Sequence, residues 1–222
     1  MTKLSVILPV YQQEDIIAAV YKEIYQAIKG LKINFECILV ENGSTDETLS
    51  EVKKLTKIYR HTKFTTTTKG YGSAVIEGLT KARGKYICYM PSDGQVDLEK
   101  LKPLWKLAQT NKYEIVKVRR STRESLLRTC TTKFHSYSLA FKFDTPLIDI
   151  NGSPRILSRK NMLSLKLKYR DSFIDSEILI KAHNRGWKIK EIPMKNIPRY
   201  GGKSSRSYKT YTEFLKNIIS YK

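Results

Sequence analysis

The chain has 222 residues, of which 41 are Lys or Arg and 21 are Asp or Glu, so it carries a formal charge of +20. That length suits a single domain with a substantial hydrophobic core, and the charge exceeds what solubility asks for, which points to an anionic partner. Nucleic acid, an anionic membrane surface and phosphorylated small molecules all share that chemistry, but no apolar run approaches the roughly eighteen residues of a bilayer span, so any membrane contact is expected to be peripheral.

The three cysteines are Cys37, Cys88 and Cys130. The first two lie in apolar runs, and no CxxC or Cys/His spacing suggests zinc, so they read as reduced core thiols of a cytosolic protein. The sequence enters a strand at once, without a signal-peptide pattern.

In chain order, LSVIL (4–8) predicts a first strand, and Ile17, Val20, Ile24 and Ile28 mark one face of a helix ending near Gly30. FECILV (35–40) predicts a second strand. Ser44 or Thr45 is placed to cap the next helix, which carries Leu49, Val52 and Leu55. A TTTT stretch follows as an exposed strand or loop, and KGYGSAVIEGLTKARG (69–84) reads as a glycine-rich turn into a helix that stops at Gly84. KYICYM (85–90) is a third buried strand, Leu98 to Ala108 gives the helix after it, and EIVKV (114–118) is a fourth strand.

Strands alternating with crossover helices predict an α/β fold with a mostly parallel central sheet flanked by helices, and they put every loop after a strand on one edge. The second half differs. Apolar residues from Leu126 to Phe141 recur at helical spacing among Arg123, Arg128, Lys133 and Lys142, and a similar pattern runs from 209 to 222. Both read as basic amphipathic helices, suited either to a membrane surface or to packing on the core or a second copy. From Lys112 to Lys133 seven basic residues face two acidic ones, and from Lys195 onward seven face Glu213 alone.

Three strand-end loops are polar in a specific way: PVYQQED, ENGSTDET and PSDGQVD. Each alone is ordinary turn chemistry. Together with the segments around them they resemble the family 2 glycosyltransferases of GT-A fold, and most closely the dolichol-phosphate mannosyltransferase-like branch. LSVILPVYQQEDI resembles that family's opening strand and loop, VENGSTDET its second strand end, and KGYGSAVIEGLTKARGKYICYMPSDGQ its glycine-rich helix, strand and Asp-x-Asp loop. DINGSPRILSRK, FIDSEILIKAHNRGWKIKEIPM and RYGGKSS resemble its acceptor-side loop, acidic helix and tail.

The resemblance implies a single GT-A unit over 1–222, with 1–120 binding a UDP- or GDP-linked sugar and 121–222 facing the acceptor and membrane. It implies that Pro9 and Tyr11 frame the base, that Val40 and Asn42 lie beside the nucleoside, and that Ser92, Asp93 and Gln95 meet the diphosphate. Asp93 and Gln95 are the implied ligands of Mg²⁺ or Mn²⁺, a hard cation that stabilises the leaving nucleotide. Pro91 stands where the family has its first Asp, Asn42 where it has Asp, and Ser205 where its tail has Lys, so metal affinity and base preference are expected to differ. Arg119, Arg120 and Arg199 are the implied partners of the diphosphate, since paired guanidinium donors suit it. Asp149, Asn151 and Arg155 are implied on the acceptor side, and Asp93, Arg155, Glu177 and Arg199 as the catalytic residues. Asp175 and Glu177 occupy the acidic helix, where Glu177 is read either as a catalytic group or as a structural partner of nearby Lys or Arg.

The activity so implied is inverting transfer of a sugar to a polyprenyl phosphate at the cytoplasmic membrane face, by a peripheral protein with an anionic lipid surface and a second copy or a membrane protein as partners. A soluble saccharide acceptor and a catalytically degenerate scaffold are the alternatives. Nucleic-acid binding rests on charge alone, without a stacking strip of aromatic residues, and is set aside.

Overall fold

Strand β1 (Leu4–Val10) is buried along its whole length because it is covered on both sides. In the computed structural model, which describes residues 2–120, 149–195, 197, 213 and 216–221, it is an interior strand, third of seven, in a single sheet. The elements that follow are α1 (Ile17–Lys29), β2 (Phe35–Glu41), α2 (Thr48–Ile58), β3 (Thr62–Thr66), α3 (Tyr71–Lys81), β4 (Tyr86–Tyr89), α4 (Leu101–Ala108) and β5 (Ile115–Arg120). After these come β6 (Arg155–Ser158), α5 (Arg159–Ser164), α6 (Ile174–His183) and β7 (Ile189–Met194). The sheet order is β3-β2-β1-β4-β6-β5-β7, with β6 antiparallel to both neighbours and every other pairing parallel.

Alternation along the central strands divides the core between two faces. Leu4, Val6, Leu8, Cys37, Leu39 and Cys88 pack against α1, α2 and α4. Ile7, Ile38, Val40, Ile87 and Tyr89 pack on the other side against α3 and α6. A parallel sheet covered on both faces needs such continuous apolar strands, which is why β1, β2 and β4 are legible as unbroken runs. The chain leaves β1 for β2 and β3, then returns to pair β4 on the other flank of β1. That reversal is a topological switch point, where open α/β sheets form a ligand crevice beyond the strand ends.

Several expectations need correction. Neither Ser44 nor Thr45 caps α2: the helix starts at Thr48 behind Glu47, and Thr48 N–H donates to Asp46 Oδ1 at 3.1 Å. Helix α3 stops at Lys81, before Gly84. Gly84 instead permits close approach to β1, since a Cβ there would lie 2.6 Å from Ser5 N and 2.7 Å from its hydroxyl. Strands β6 and β7 join the same sheet as the first half. The amphipathic pattern at 122–143 lies outside the described residues. Within the closing pattern, residues 216–220 are helical, but Ile218 is buried against Ile150, Phe173, Leu179 and Ile180 while Ile219 is exposed. The inner side of that stretch is therefore packed on protein.

Candidate active site

The loops after β1 and β2 are stitched to each other at the switch point. Gln12 N–H donates to Ser44 Oγ at 3.1 Å, Gln13 N–H to Thr48 Oγ1 at 2.7 Å, and Glu47 N–H back to Glu14 Oε2 at 2.8 Å. Glu41 closes its own turn by accepting from Ser44 N–H at 2.5 Å, and Asn42 N–H donates to the Val10 carbonyl at 3.1 Å. Ser44 and Thr45, expected as helix caps, thus serve the neighbouring loop. Pro9 and Val40 are in buried strands, and the Val40 side chain packs over Gly78, so it shapes the site from beneath. Tyr11 is half-buried with Lys69 Nζ 4.8 Å from its ring centroid.

The PSDGQ turn leaves β4 directly beside β1. Ser92 is buried, its Oγ 2.7 Å from the Pro9 carbonyl and 2.7 Å from the Gln13 side-chain oxygen, which ties this loop to the first one. Asp93 Oδ1 accepts from Gln95 N–H at 3.2 Å, and Gly94 takes φ +79, a left-handed position that suits glycine. Asp93 and Gln95 both stay part-exposed. Among the described residues no three His, Cys, Asp or Glu side chains converge on one point. One carboxylate and one amide oxygen fit a cation that brings most of its oxygen ligands with a diphosphate and water, as Mg²⁺ often does.

The glycine-rich turn is a packing device. A Cβ on Gly72 would come within 3 Å of the Tyr169, Arg170 and Asp171 backbone, and Ser73 N–H donates to the Arg170 carbonyl at 2.8 Å.

On the far side of β4, Arg120 and Asp149 are each other's partners, although the sequence assigns one to the donor side and the other to the acceptor side. Arg120 Nε and Nη2 donate to Asp149 Oδ2 and Oδ1 at 2.9 and 2.8 Å, and the Arg120 main-chain N–H adds a third bond at 3.0 Å. Burial alone would raise the Asp149 pKa, but the guanidinium holds it well below the ordinary carboxylate range. Arg119 is exposed at the strand end, and Asn151 is half-buried in the 149–154 loop.

Arg155 is fully buried. Its Nη2 donates to the Ile150 carbonyl at 2.7 Å and lies 3.3 Å from Asp175 Oδ1, which also accepts from the Tyr89 hydroxyl at 3.0 Å. Burial works against the Arg155 charge, but Asp175 outweighs it and holds the guanidinium pKa above its usual value. Glu177 is also fully buried, and both its oxygens lie 3.0 Å from Lys168 N–H. It further accepts from Tyr169 N–H at 3.0 Å and Lys181 Nζ at 2.5 Å. Arg199 and the rest of the RYGGKSS tail, with Ser205, Lys203 and Arg206, lie outside the described residues.

Sequence reasoning missed Lys117, Tyr89 and Glu191. The available signal was a lysine inside the apolar run EIVKV, because lysine is almost never fully buried without a partner.

The family model described as glycosyl transferase family 2 matches residues 5–164. An uncharacterized glycosyltransferase of Mycobacterium tuberculosis and one of Mycobacterium bovis are each 28% identical over 209 residues, covering 92% of this chain and 89% of the relative. Among solved structures, glucosyl-3-phosphoglycerate synthase of M. tuberculosis with Mn²⁺, UDP-glucose and phosphoglyceric acid superposes with a TM-score of 0.74 at 15% identity, over 99% of this chain and 79% of that one. The same synthase with Mg²⁺ and UDP gives 0.72 at 17% identity, over 98% and 77%. The structural likeness establishes the GT-A type of fold, without marking out the mannosyltransferase-like branch. On its sequence match, the chain belongs to glycosyl transferase family 2.

Proposed function

We propose that this protein is one catalytic unit that transfers a sugar, with inversion, from a nucleoside-diphosphate sugar to an acceptor bearing a phosphate, whose oxygen arrives already ionised. The observation that carries this reading is the state of four acceptor-side carboxylates among the described residues. Asp149 is held by Arg120, Asp175 by Arg155 and Tyr89, Asp171 by Phe173 N–H and Asn217, and Glu177 by the 168–169 backbone and Lys181. None of these four is positioned to take a proton from a hydroxyl, and a phosphate nucleophile needs no such base.

In this reading Pro9, Tyr11, Val40 and Asn42 bracket the nucleoside, and the Ser92–Gln95 turn receives the diphosphate. Asp93 and Gln95 would hold Mg²⁺ or Mn²⁺, which supplies charge neutralisation for the departing diphosphate. Arg119 and Arg199 are the remaining candidates to share that charge, since Arg120 is bound to Asp149. The acceptor oxygen bonds to the anomeric carbon as its bond to the diphosphate breaks, and the nucleoside diphosphate leaves. Asp149, Asn151 and Arg155 shape the acceptor side; Glu177 is a positioning residue.

A soluble phosphorylated acceptor leads, because the one described part of the C-terminal amphipathic pattern packs on protein and because the structural neighbour binds phosphoglyceric acid, which supports a small phosphorylated acceptor without bearing on which of its oxygens attacks. The net charge of +20 keeps a polyprenyl phosphate at an anionic membrane surface as the second reading. Among the described residues no helix is long and apolar enough to cross a membrane.

The test is a panel of radiolabelled UDP- and GDP-sugars with Mn²⁺, offered soluble phosphate monoesters, polyprenyl phosphate in anionic vesicles, and the matching unphosphorylated alcohols. Transfer to phosphate monoesters only, and its abolition in Asp93→Ala, is expected. Transfer to the alcohols at a comparable rate, or near-normal turnover in Asp93→Ala, overturns the reading. No thermal shift with any donor supports the degenerate scaffold instead.

A further inference from the structure

Four polar side chains lie on one register line across four adjacent strands. Tyr89 of β4 faces Arg155 of β6, Arg155 faces Lys117 of β5, and Lys117 faces Glu191 of β7. Lys117 and Arg155 are both fully buried, and each directs a donor at main chain as well as at a carboxylate. Lys117 Nζ donates to the Asp149 carbonyl and to Glu191 Oε1 at 2.8 Å, while Arg155 Nη2 donates to the Ile150 carbonyl at 2.7 Å. Two cations on neighbouring strands therefore suspend the start of the 149–154 loop by its backbone.

The rest of the loop is built for that approach. Gly152 has no room for a side chain, since a Cβ would press on the Val118 carbonyl and sit 2.8 Å from Lys117 Nζ. Gly152 N–H donates to the Asp149 carbonyl at 2.9 Å, Val118 N–H to the Pro154 carbonyl at 3.2 Å, and Ser153 Oγ to the Tyr89 carbonyl at 3.1 Å.

Holding a loop with a buried ammonium is costly. Burial first, and then the charge of Arg155, push the Lys117 pKa down to about 8 against the pull of Glu191 and Asp149. A buried ion pair replaced whole by apolar side chains of similar volume often costs no stability, whereas removing one partner of it does. What an apolar side chain lacks here is a donor for the Asp149 carbonyl.

We propose that Lys117 is a positioning residue that holds the 149–154 loop, and with it Asp149 and Asn151, against the strand ends at the expense of global stability. Its bearing on turnover rests on the transfer reading of this edge, but the order of the loop can be measured without any substrate.

The experiment compares hydrogen exchange and melting of the full chain at pH 7 for wild type, Lys117→Met, the double variant Lys117→Met/Glu191→Leu and Gly152→Ala, with UDP and GDP binding measured alongside. The double variant, which removes the pair whole, is expected to melt no lower than wild type, while in both Lys117 variants the Gly152 and Arg120 amides, which bond to Asp149, exchange at least tenfold faster. Exchange in β1 and β2 and affinity for either nucleotide should stay within twofold. Gly152→Ala, which displaces the loop and keeps the lysine, should release the same two amides and sets the rate of a released loop, and the double variant decides the matter should Lys117→Met fail to fold. A lysine serving stability alone would lower the melting temperature and speed exchange throughout. That pattern in the double variant, or unchanged exchange at Gly152 and Arg120 in a Lys117 variant, overturns the proposal. Failure of wild type to bind either nucleotide counts against the transfer reading and leaves the loop result to be judged by itself.

Discussion

Replacing Glu177 by Gln separates a structural carboxylate from a catalytic one. The side chain is fully buried, and its two oxygens accept from Lys168 N–H, Tyr169 N–H and Lys181 Nζ. Gln keeps one acceptor oxygen in the same place but turns an NH₂ toward donors at the other. The Lys181 ammonium is part-exposed and can turn to water, so its loss costs about 0.5–1 kcal/mol. The backbone bonds lose their charge assistance, and hydrogen bonds to charged groups contribute about 1.5–3 kcal/mol each against about 1 for neutral ones. Together these give a loss of about 3 kcal/mol, or about 6–12 °C in Tm for a chain of this size. The assay is thermal melting together with sugar transfer below the new transition, where kcat per folded molecule is expected within about threefold of wild type, less than 1 kcal/mol of barrier. A variant with wild-type Tm and abolished turnover would refute the structural assignment and return Glu177 to the chemistry.

Two further outcomes follow from the same geometry. Because the Asp149 pKa is depressed in the folded chain, its contribution is fully present above the unfolded value near 3.9 and is lost only as pH falls through the lower folded one. Arg120→Ala should therefore raise the pH midpoint of acid unfolding, and an unmoved midpoint would show that the pair contributes nothing. Gly72→Ala should cost about 2 kcal/mol by overpacking against the 169–171 backbone, measured as a fall in the urea midpoint; an unchanged midpoint would mean that this backbone can retreat.

The first half of the fold was legible because covered parallel strands leave unbroken apolar runs, as in β1, β2 and β4. Strand β6 escaped notice because it is four residues long and opens on a buried Arg, so RILS reads as loop. Strand β7 carries Pro193 and a mixed burial pattern, which fits its place at the sheet edge. The PSDGQ turn was legible from the local chemistry of Asp, Gly and Gln. The pairing of Glu177 with a nearby lysine was legible as one of its two readings, since Lys181 is one helical turn away, but the roles of Arg120 and Lys117 and the backbone bonds of Glu177 were not, because Asp149, Glu191 and the 168–169 main chain come from distant segments or carry no sequence signature. Residue type announced that charge sat near the site, and only the pairing decided which charges were already committed.

The cross-bonding of the first two strand-end loops has a consequence for redesign. Gln12, Gln13 and Glu14 on one loop are joined to Ser44, Glu47 and Thr48 on the other, so the pair behaves as one exchangeable cassette. Grafting a single loop from a relative with another nucleotide preference would strand backbone donors on the loop left behind. A graft that moves both together keeps these cross-loop bonds intact, and under the proposed function only the nucleotide contacts would then change.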